Sequence, residues 1–356
     1  MIEIVPREQP SRRLTAGVPL LAAIGSLLLA AIPLAFAGAP IIEAYGQMFT
    51  GVFGSLFSFT EMLTRATPLI FTGLAAAVAF RAKLWNIGGE GQLYLGAMAA
   101  VWVGSGMIEG PPILMVPLVL LAGAIAGGLG MLGPAVLKTR FGADEVVTSL
   151  LLNFIILIFV QMMLEGPLKD PMSLGWPQSE PIIDEAVLPQ LIAKMRLHAG
   201  FLLAIGTAVV AHVIMAMTVW GLRIRAVGEN AAAARHAGMP VKRIFLAVAF
   251  ASGALAGIAG VSEVAGLKGY LTTDLSPGFG YTGIVVAMLA GLSPLGVVAA
   301  ALFIASVFVG TDSMSRAMGV SSFLADLTVS MSLICVLLGG FFARFQIRRV
   351  RTEGAA

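Results

Sequence analysis

Ten stretches of this chain are apolar over all or much of the length that a lipid bilayer demands of a helix. A helix rises about 1.5 Å per residue, so crossing a hydrocarbon layer near 30 Å takes roughly 20 mostly apolar residues. Windows of that kind lie at 15–37, 61–80, 90–107, 113–134, 145–164, 198–220, 244–265 and 321–343, with two shorter pieces at 281–292 and 295–311. With 58% of its 356 residues hydrophobic and only 12% charged, the chain cannot hide this apolar surface in an aqueous core. Its solvent is therefore lipid. The sequence predicts an all-α polytopic membrane protein. The first window carries a signal-like "LAFAGAP" after a basic start, but its apolar run exceeds the usual signal core, so it is read as an uncleaved first helix.

A formal net charge of +3 is too small to suggest nucleic acid as a partner. The positions of the basic residues carry topology instead. Arg7, Arg12 and Arg13, Arg81 and Lys83, Lys138 and Arg140, the loop 221–243, and Arg344, Arg348, Arg349 and Arg351 all fall on one side of the alternating spans. Of the 22 Lys and Arg residues, 16 lie on that side, against Arg65, Lys169, Lys194, Arg196, Lys268 and Arg316 on the other. Basic residues near span ends are retained in the cytoplasm, so both termini are expected there and the number of crossings is even. The count is ten if both short pieces cross, and eight if both are re-entrant. The expected division is a cytoplasmic segment 1–14, a transmembrane domain 15–343 with an external segment near 165–197 and a cytoplasmic loop at 221–243, and a cytoplasmic tail 344–356. The single cysteine, Cys335, rules out an internal disulfide.

Ten helices divide into five and five, and each half contains the same interruption. In the first, a helix ending near Phe80 meets the glycine-rich "WNIGGEGQ" before the chain turns back. In the second, "LAVAFASGALAGIAG" meets the irregular "GLKGYLTTDLSPGFGYTG". Matching Gly and Pro interruptions in halves of opposite orientation indicate an inverted repeat with a site between broken helices. Irregular backbone at membrane depth must line a cavity or be buried in protein. Asn86, Glu90, Gln92, Asn153, Phe279 and Tyr281 are accordingly the candidate pathway residues. Two other readings stand beside this one: Glu90 as an interfacial carboxylate paired with Arg81 or Lys83, and Asn153 as glue between helices. The glycines of "LAGAIAGGLGMLG" suit close helix packing. Glu263 and Asp326 are further ionisable groups within spans, and Glu90, Glu263 or Asp326 would carry the coupling proton or cation if the chain were an ion-driven transporter.

The loop "GLRIRAVGENAAAARHAGMPVKRIFL", 221–246, contains a helix of about two turns. Asn230 is suited to cap it, Ala231 to Ala234 favour it, Gly238 suits a left-handed residue after it, and Pro240 prevents its continuation. So short a helix is not stable alone in water and is expected to dock on a partner. Neither a phosphate-binding G-x-x-x-x-G-K-[ST] loop, nor H-E-x-x-H, nor a Ser-His-Asp arrangement is found, so the chain is read as a non-catalytic transport subunit.

"PLIFTGLAAAVAFRAKLWNIGGEGQLYLGA" (68–97), "GLRIRAVGENAAAARHAGM" (221–239) and "FASGALAGIAG" (250–260) resemble blocks of ABC importer permeases of the branched-chain amino acid, simple sugar and nucleoside branch. The similarity covers roughly residues 60–343 and is closest to the nucleoside permeases that work with BmpA-type lipoproteins. It implies a type II importer-like permease in a bacterial inner membrane, with 228–238 as the coupling helix. Gly228, Glu229, Asn230, Ala232, Ala234, Arg235 and Gly238 would meet the ATPase. It further implies a cytoplasmic ATPase holding ATP and Mg, with no cofactor on this chain, a second permease subunit, and an extracytoplasmic substrate-binding lipoprotein. A ribose-type Asp-Leu-Ser triplet after the glycines of "NIGGEGQ" is absent, which points away from a monosaccharide permease. Simple sugars, branched-chain amino acids and ion-coupled transport remain the alternatives.

Overall fold

The computed structural model describes residues 40–319 without interruption, together with 2–6, 345–349 and individual residues from 25 to 36 and from 321 to 339. In chain order the elements are β1 (Ile2–Pro6), α1 (Ile41–Phe53), α2 (Leu56–Arg81), α3 (Gly89–Gly104), α4 (Pro112–Phe141), α5 (Glu145–Glu165), α6 (Gly200–Met217), α7 (Val219–Glu229), α8 (Ala231–His236), α9 (Val241–Glu263), α10 (Phe279–Leu289), α11 (Pro294–Met318) and β2 (Phe345–Arg349). A π-helical turn, Val264–Lys268, extends α9, and a 3-10 turn, Asp184–Ala186, lies in the long connection between α5 and α6.

Two compact units emerge. In the smaller one, residues 1–55 with 306–356, β1 pairs antiparallel with β2 from Ile2 opposite Arg349 to Pro6 opposite Phe345. Leu34, Ala44, Met48 and Met314 form its apolar cluster. Gly51 lies so close to Ser313 that a Cβ could not be accommodated. Neither the strand pair nor α1 was expected from hydropathy. The ribbon is only five residues a side, and α1 is interrupted by Glu43, Gly46 and Gln47, so neither resembles a span.

The larger unit, residues 56–305, contains most of the membrane architecture. Among the described residues, Leu56–Arg81, Pro112–Phe141, Glu145–Glu165, Gly200–Met217, Val241–Lys268 and Pro294–Met318 are long and apolar enough to cross a bilayer. Spans 15–37 and 321–343 of the sequence reading lie largely outside the described residues. The piece read as 295–311 is in fact part of the 25-residue α11. Its last turns carry Thr311, Asp312, Ser313 and Ser315, which end an apolar window but not a helix, and Thr311 Oγ1 donates to the Val307 carbonyl at 2.8 Å. By contrast α10 has only 11 residues, about half a bilayer's depth.

The packing exchanges partners between the two halves. α2 lies on α10, α9 lies on α3, and α2 and α9 lie on each other. Long helix on short helix, taken reciprocally, is the arrangement expected of an inverted repeat. Glycines set its closest approaches. On α4, Gly123 and Gly127 face Gly257 and Gly253 of α9 backbone to backbone, while Gly96 of α3 meets Gly257 and Gly260 meets the Leu93 carbonyl. With no hydrophobic force between helices in lipid, such close packing has to supply the association.

Replacing Gly257 by Val puts side-chain atoms into the backbone of α4 at Gly123 and Gly127. The expected loss is about 1–3 kcal/mol or more, as for other overpacked interiors, read as a lowered thermal unfolding midpoint of the purified chain. Gly133→Ala, where nothing lies within 4 Å, should leave the midpoint unchanged.

Candidate translocation pathway and coupling segment

α2 ends by folding its chain back sharply. Lys83 takes a left-handed conformation, φ 53°, while its N–H donates to the Phe80 carbonyl at 3.0 Å and that of Leu84 to Ala79 at 3.1 Å. This is the paired closure with which helices commonly stop. The chain then runs irregularly through 85–88 before α3 begins. Such backbone cannot be left to lipid, because each unsatisfied N–H or C=O costs several kcal/mol there.

One face of α5 supplies the missing partners. Glu145, Ser149 and Asn153, four residues apart and therefore stacked along the helix, are all buried in the protein. Glu145 Oε1 accepts from the Trp85 N–H at 3.2 Å, and Ser149 Oγ from that of Ile87 at 3.2 Å. Asn153 Nδ2 donates to the Ile87 carbonyl at 2.9 Å while its Oδ1 accepts from the Gly91 N–H at 2.8 Å. Lys138, at the end of α4, holds the other Glu145 oxygen at 2.5 Å.

On the opposite flank the two amides join each other. Asn86 Nδ2 donates to Gln92 Oε1 at 2.8 Å and Gln92 Nε2 returns a bond to Asn86 Oδ1 at 2.9 Å. Asn86 also donates to Ser252 Oγ of α9 at 2.9 Å and accepts from the Gly88 N–H at 2.9 Å. Ser252 in turn donates to the Ala75 carbonyl of α2 at 2.7 Å. A closed polar network therefore ties the break to α2, α3 and α9.

Glu90 faces away from Arg81 and Lys83. Its Oε2 accepts from the Gly280 N–H at 2.7 Å, in the first turn of α10. Gly89 and Gly280 touch, a Cβ built on Gly89 lying 3.3 Å from the Gly280 carbonyl oxygen. The starts of α3 and α10 thus abut. Asn153, bonded to Gly91 beside this point, is near the middle of the 21-residue α5, so the two helix starts meet at the level of the middle of α5. Two helix N-termini carry partial positive charge, and the Glu90 carboxyl group lies between them as an acceptor. Ser276 Oγ accepts from the Phe279 N–H at 2.9 Å to close the start of α10. Tyr94 Oη donates to the Thr273 carbonyl at 2.7 Å and accepts from the Ser276 N–H at 3.2 Å, pinning the preceding loop to α3.

Of the six pathway candidates, the structure gathers Asn86, Glu90, Gln92 and Asn153 at one junction, all buried. Tyr281, about a third exposed, joins them as acceptor of a 3.3 Å bond from Asn153 Nδ2. Phe279 is buried at the start of α10. Sequence reading missed Glu145, Ser149, Tyr94, Ser252 and Ser276. The i, i+4, i+8 polar stripe through "EVVTSLLLNF" would have revealed the first two, and Tyr94 sits one turn beyond Glu90. Glu263 is buried near the end of α9; Asp326 lies outside the described residues.

At the charged end, Thr218 Oγ1 accepts from the Gly221 N–H at 3.3 Å to open α7. Asn230 Oδ1 accepts from the N–H groups of Ala232 and Ala233, both at 3.0 Å, to open α8. Gly238 is left-handed, φ 78°, so the cap and stop read from the sequence are both present. Ala232, Arg235, Glu229, Asn230 and Gly238 are exposed, whereas Ala234 and Gly228 are turned inward. Gly228 lies directly against the Arg81 carbonyl, with no room for a Cβ. Arg81 Nε donates to the Leu292 carbonyl at 3.2 Å. The exposed short helix is thus one close contact away from the turn that begins the break.

Residues 58–338 match the family described as branched-chain amino acid transport system / permease component. The chain belongs to this family. The permease is 34% identical to the glucose ABC transporter permease TsgB13 of Haloferax volcanii, over 97% of its own length and 93% of that protein. It is 34% identical to the guanosine ABC transporter permease NupP of Bacillus subtilis, over 95% and 97% of the two chains. To the nucleoside ABC transporter permease NupB of Lactococcus lactis it is 32% identical, over 84% of each. No solved structure matches it. One of these relatives is named for glucose, so the family likeness does not by itself separate nucleoside from sugar permeases.

Asn153→Leu leaves the Ile87 carbonyl and the Gly91 N–H without their side-chain partners, an expected loss of about 1–3 kcal/mol per orphaned group. Ser149→Ala orphans one. Thermal unfolding midpoints of the purified permease should fall in the order Asn153→Leu, then Ser149→Ala, with exposed Thr207→Ala near wild type.

Proposed function

We propose that this permease forms the membrane pathway of an ABC importer for nucleosides and is driven by a cytoplasmic ATPase that seats on residues 228–238. The observation that carries the reading is the placement of the capped, exposed α8 one contact from the turn at Arg81, with the head-to-head half-helices just beyond it. A movement imposed on α8 reaches the break through Gly228, and packed elements with two arrangements convert small displacements into opening and closing. The resemblance to guanosine and nucleoside permeases supports the solute class. ATP and Mg belong to the partner ATPase, and this chain does no hydrolysis.

The same reading includes a second permease subunit, an extracytoplasmic substrate-binding lipoprotein, and an orientation with both termini in the cytoplasm, as the distribution of Lys and Arg favours. A bacterial inner membrane is the corresponding location. The relative named for glucose, similar along almost the whole chain, favours a simple sugar as the second reading.

Proteoliposomes containing the permease, its ATPase and its binding protein should take up labelled guanosine only with ATP, and excess glucose should not compete. ATP-dependent uptake of glucose unaffected by guanosine would transfer the assignment to the sugar. Gly238→Pro and Ala232→Trp should each reduce uptake by about tenfold or more while membrane insertion and ATPase assembly persist. The first forbids the left-handed residue that ends α8, and the second enlarges the face offered to the partner.

A further inference from the structure

A cavity of about 160 Å³ lies at the charged end of the larger unit, and nothing in the preceding account uses it. Arg81 enters it from the end of α2, His212 from the last turns of α6, and Arg225 from α7, while Ser293 and Pro294 bring the start of α11 to its wall. Met215 and Ala216 complete a mostly apolar wall, in which Arg81, Arg225 and His212 are the titratable residues and no carboxylate takes part.

Both arginines are half-buried. Among the described residues the ion pairs join Lys138 to Glu145, Arg196 to Glu61 and Lys268 to Asp274, and neither Arg81 nor Arg225 has an acidic partner. Each uses one N–H on a backbone carbonyl, Arg81 on Leu292 and Arg225 on Met215, and keeps the rest of its planar fork. Half-buried cations without a counter-charge are unfavourable, and the fork geometry of arginine matches the oxygens of a phosphate.

Two observations select the kind of phosphate. The cavity is small beside the roughly 300–1,000 Å³ of pockets that enclose whole ligands, so it fits a headgroup better than a transported solute. Neighbouring Met217, Val219, Trp220 and Leu222 are exposed apolar side chains, suited to lie along acyl chains with the tryptophan at the interface. We propose that this cavity binds the phosphate group of an anionic phospholipid, chemistry that a free phosphate shares. On the orientation proposed above, the lipid belongs to the cytoplasmic leaflet, where basic pockets between spans take such headgroups. The site rests on the chain's placement in a membrane, not on the identity of the solute or the motor.

The test is native mass spectrometry of the full-length permease titrated with phosphatidylglycerol or with phosphatidylcholine. Wild type should retain phosphatidylglycerol about tenfold more strongly, because phosphatidylcholine carries beside the same phosphate a quaternary ammonium that the two guanidinium groups repel. Arg225→Gln should lose most of that preference. Arg223→Gln, on the same helix but with its guanidinium 5.9 Å from the Trp220 ring centroid, should keep it. Should Arg225→Gln fail to fold, Arg225→Lys keeps the charge without the fork and should fall between the two. Millimolar inorganic phosphate should not displace the lipid; displacement would reassign the site to the free anion and overturn the lipid. Equal retention of both lipids, or a preference indifferent to Arg225, would overturn the site itself. Uptake does not enter the readout, so its outcome is independent of the transport assignment.

Discussion

The constraint on which this architecture depends is the fate of four backbone groups. A chain that breaks its helix inside a membrane exposes N–H and C=O groups that lipid cannot satisfy. Here the groups are those of Trp85, Ile87 and Gly91, and three side chains on one face of α5 receive them. Glu145, Ser149 and Asn153 stand in for the missing turns of helix. An irregular segment that would otherwise be an unstable defect becomes a defined, buried junction.

Held in this way, the break sets up the rest. α3 starts where the non-helical segment ends, and the start of α10 lies against it. Two positive helix ends placed face to face would repel each other and attract an anion. Glu90, itself in the first turn of α3, bonds the Gly280 amide of α10 and supplies an acceptor from within the chain. The Asn86–Gln92 pair then fastens the junction to Ser252 and, through it, to Ala75. Mechanical access comes from the charged side, where the Arg81 carbonyl is in contact with Gly228. Junction and lever are neighbours across a single turn.

How far this was legible in the sequence depended on the kind of signal. Apolar windows located the long helices, and Asn230, the alanines and Gly238 specified α8 because capping and left-handed turns are local chemistry. Both glycine-rich interruptions were legible for the same reason. What the sequence could not disclose was which long-range partner each polar group meets. Glu90 had two charges within a few turns, Arg81 and Lys83, and bonds neither, because the junction places an amide 190 residues away against it. Glu145 and Ser149 resembled ordinary residues at the start of a span. The full length of α11 was hidden because its polar last turns lowered the hydropathy that had marked every other span. The β1–β2 pairing joins the two ends of the chain, a contact that no local pattern encodes.

The central claim is that the N–H groups of the non-helical segment 85–88 are all bonded by their neighbours rather than open to water. Hydrogen exchange of the peptide covering residues 84–93, followed by mass spectrometry on the resting permease in nanodiscs, tests this directly. The account predicts exchange as slow as in the interior of α3, and fast exchange when Glu145, Ser149 and Asn153 are all replaced by leucine. Rapid exchange in the wild-type chain, or equal rates in the two, would contradict it.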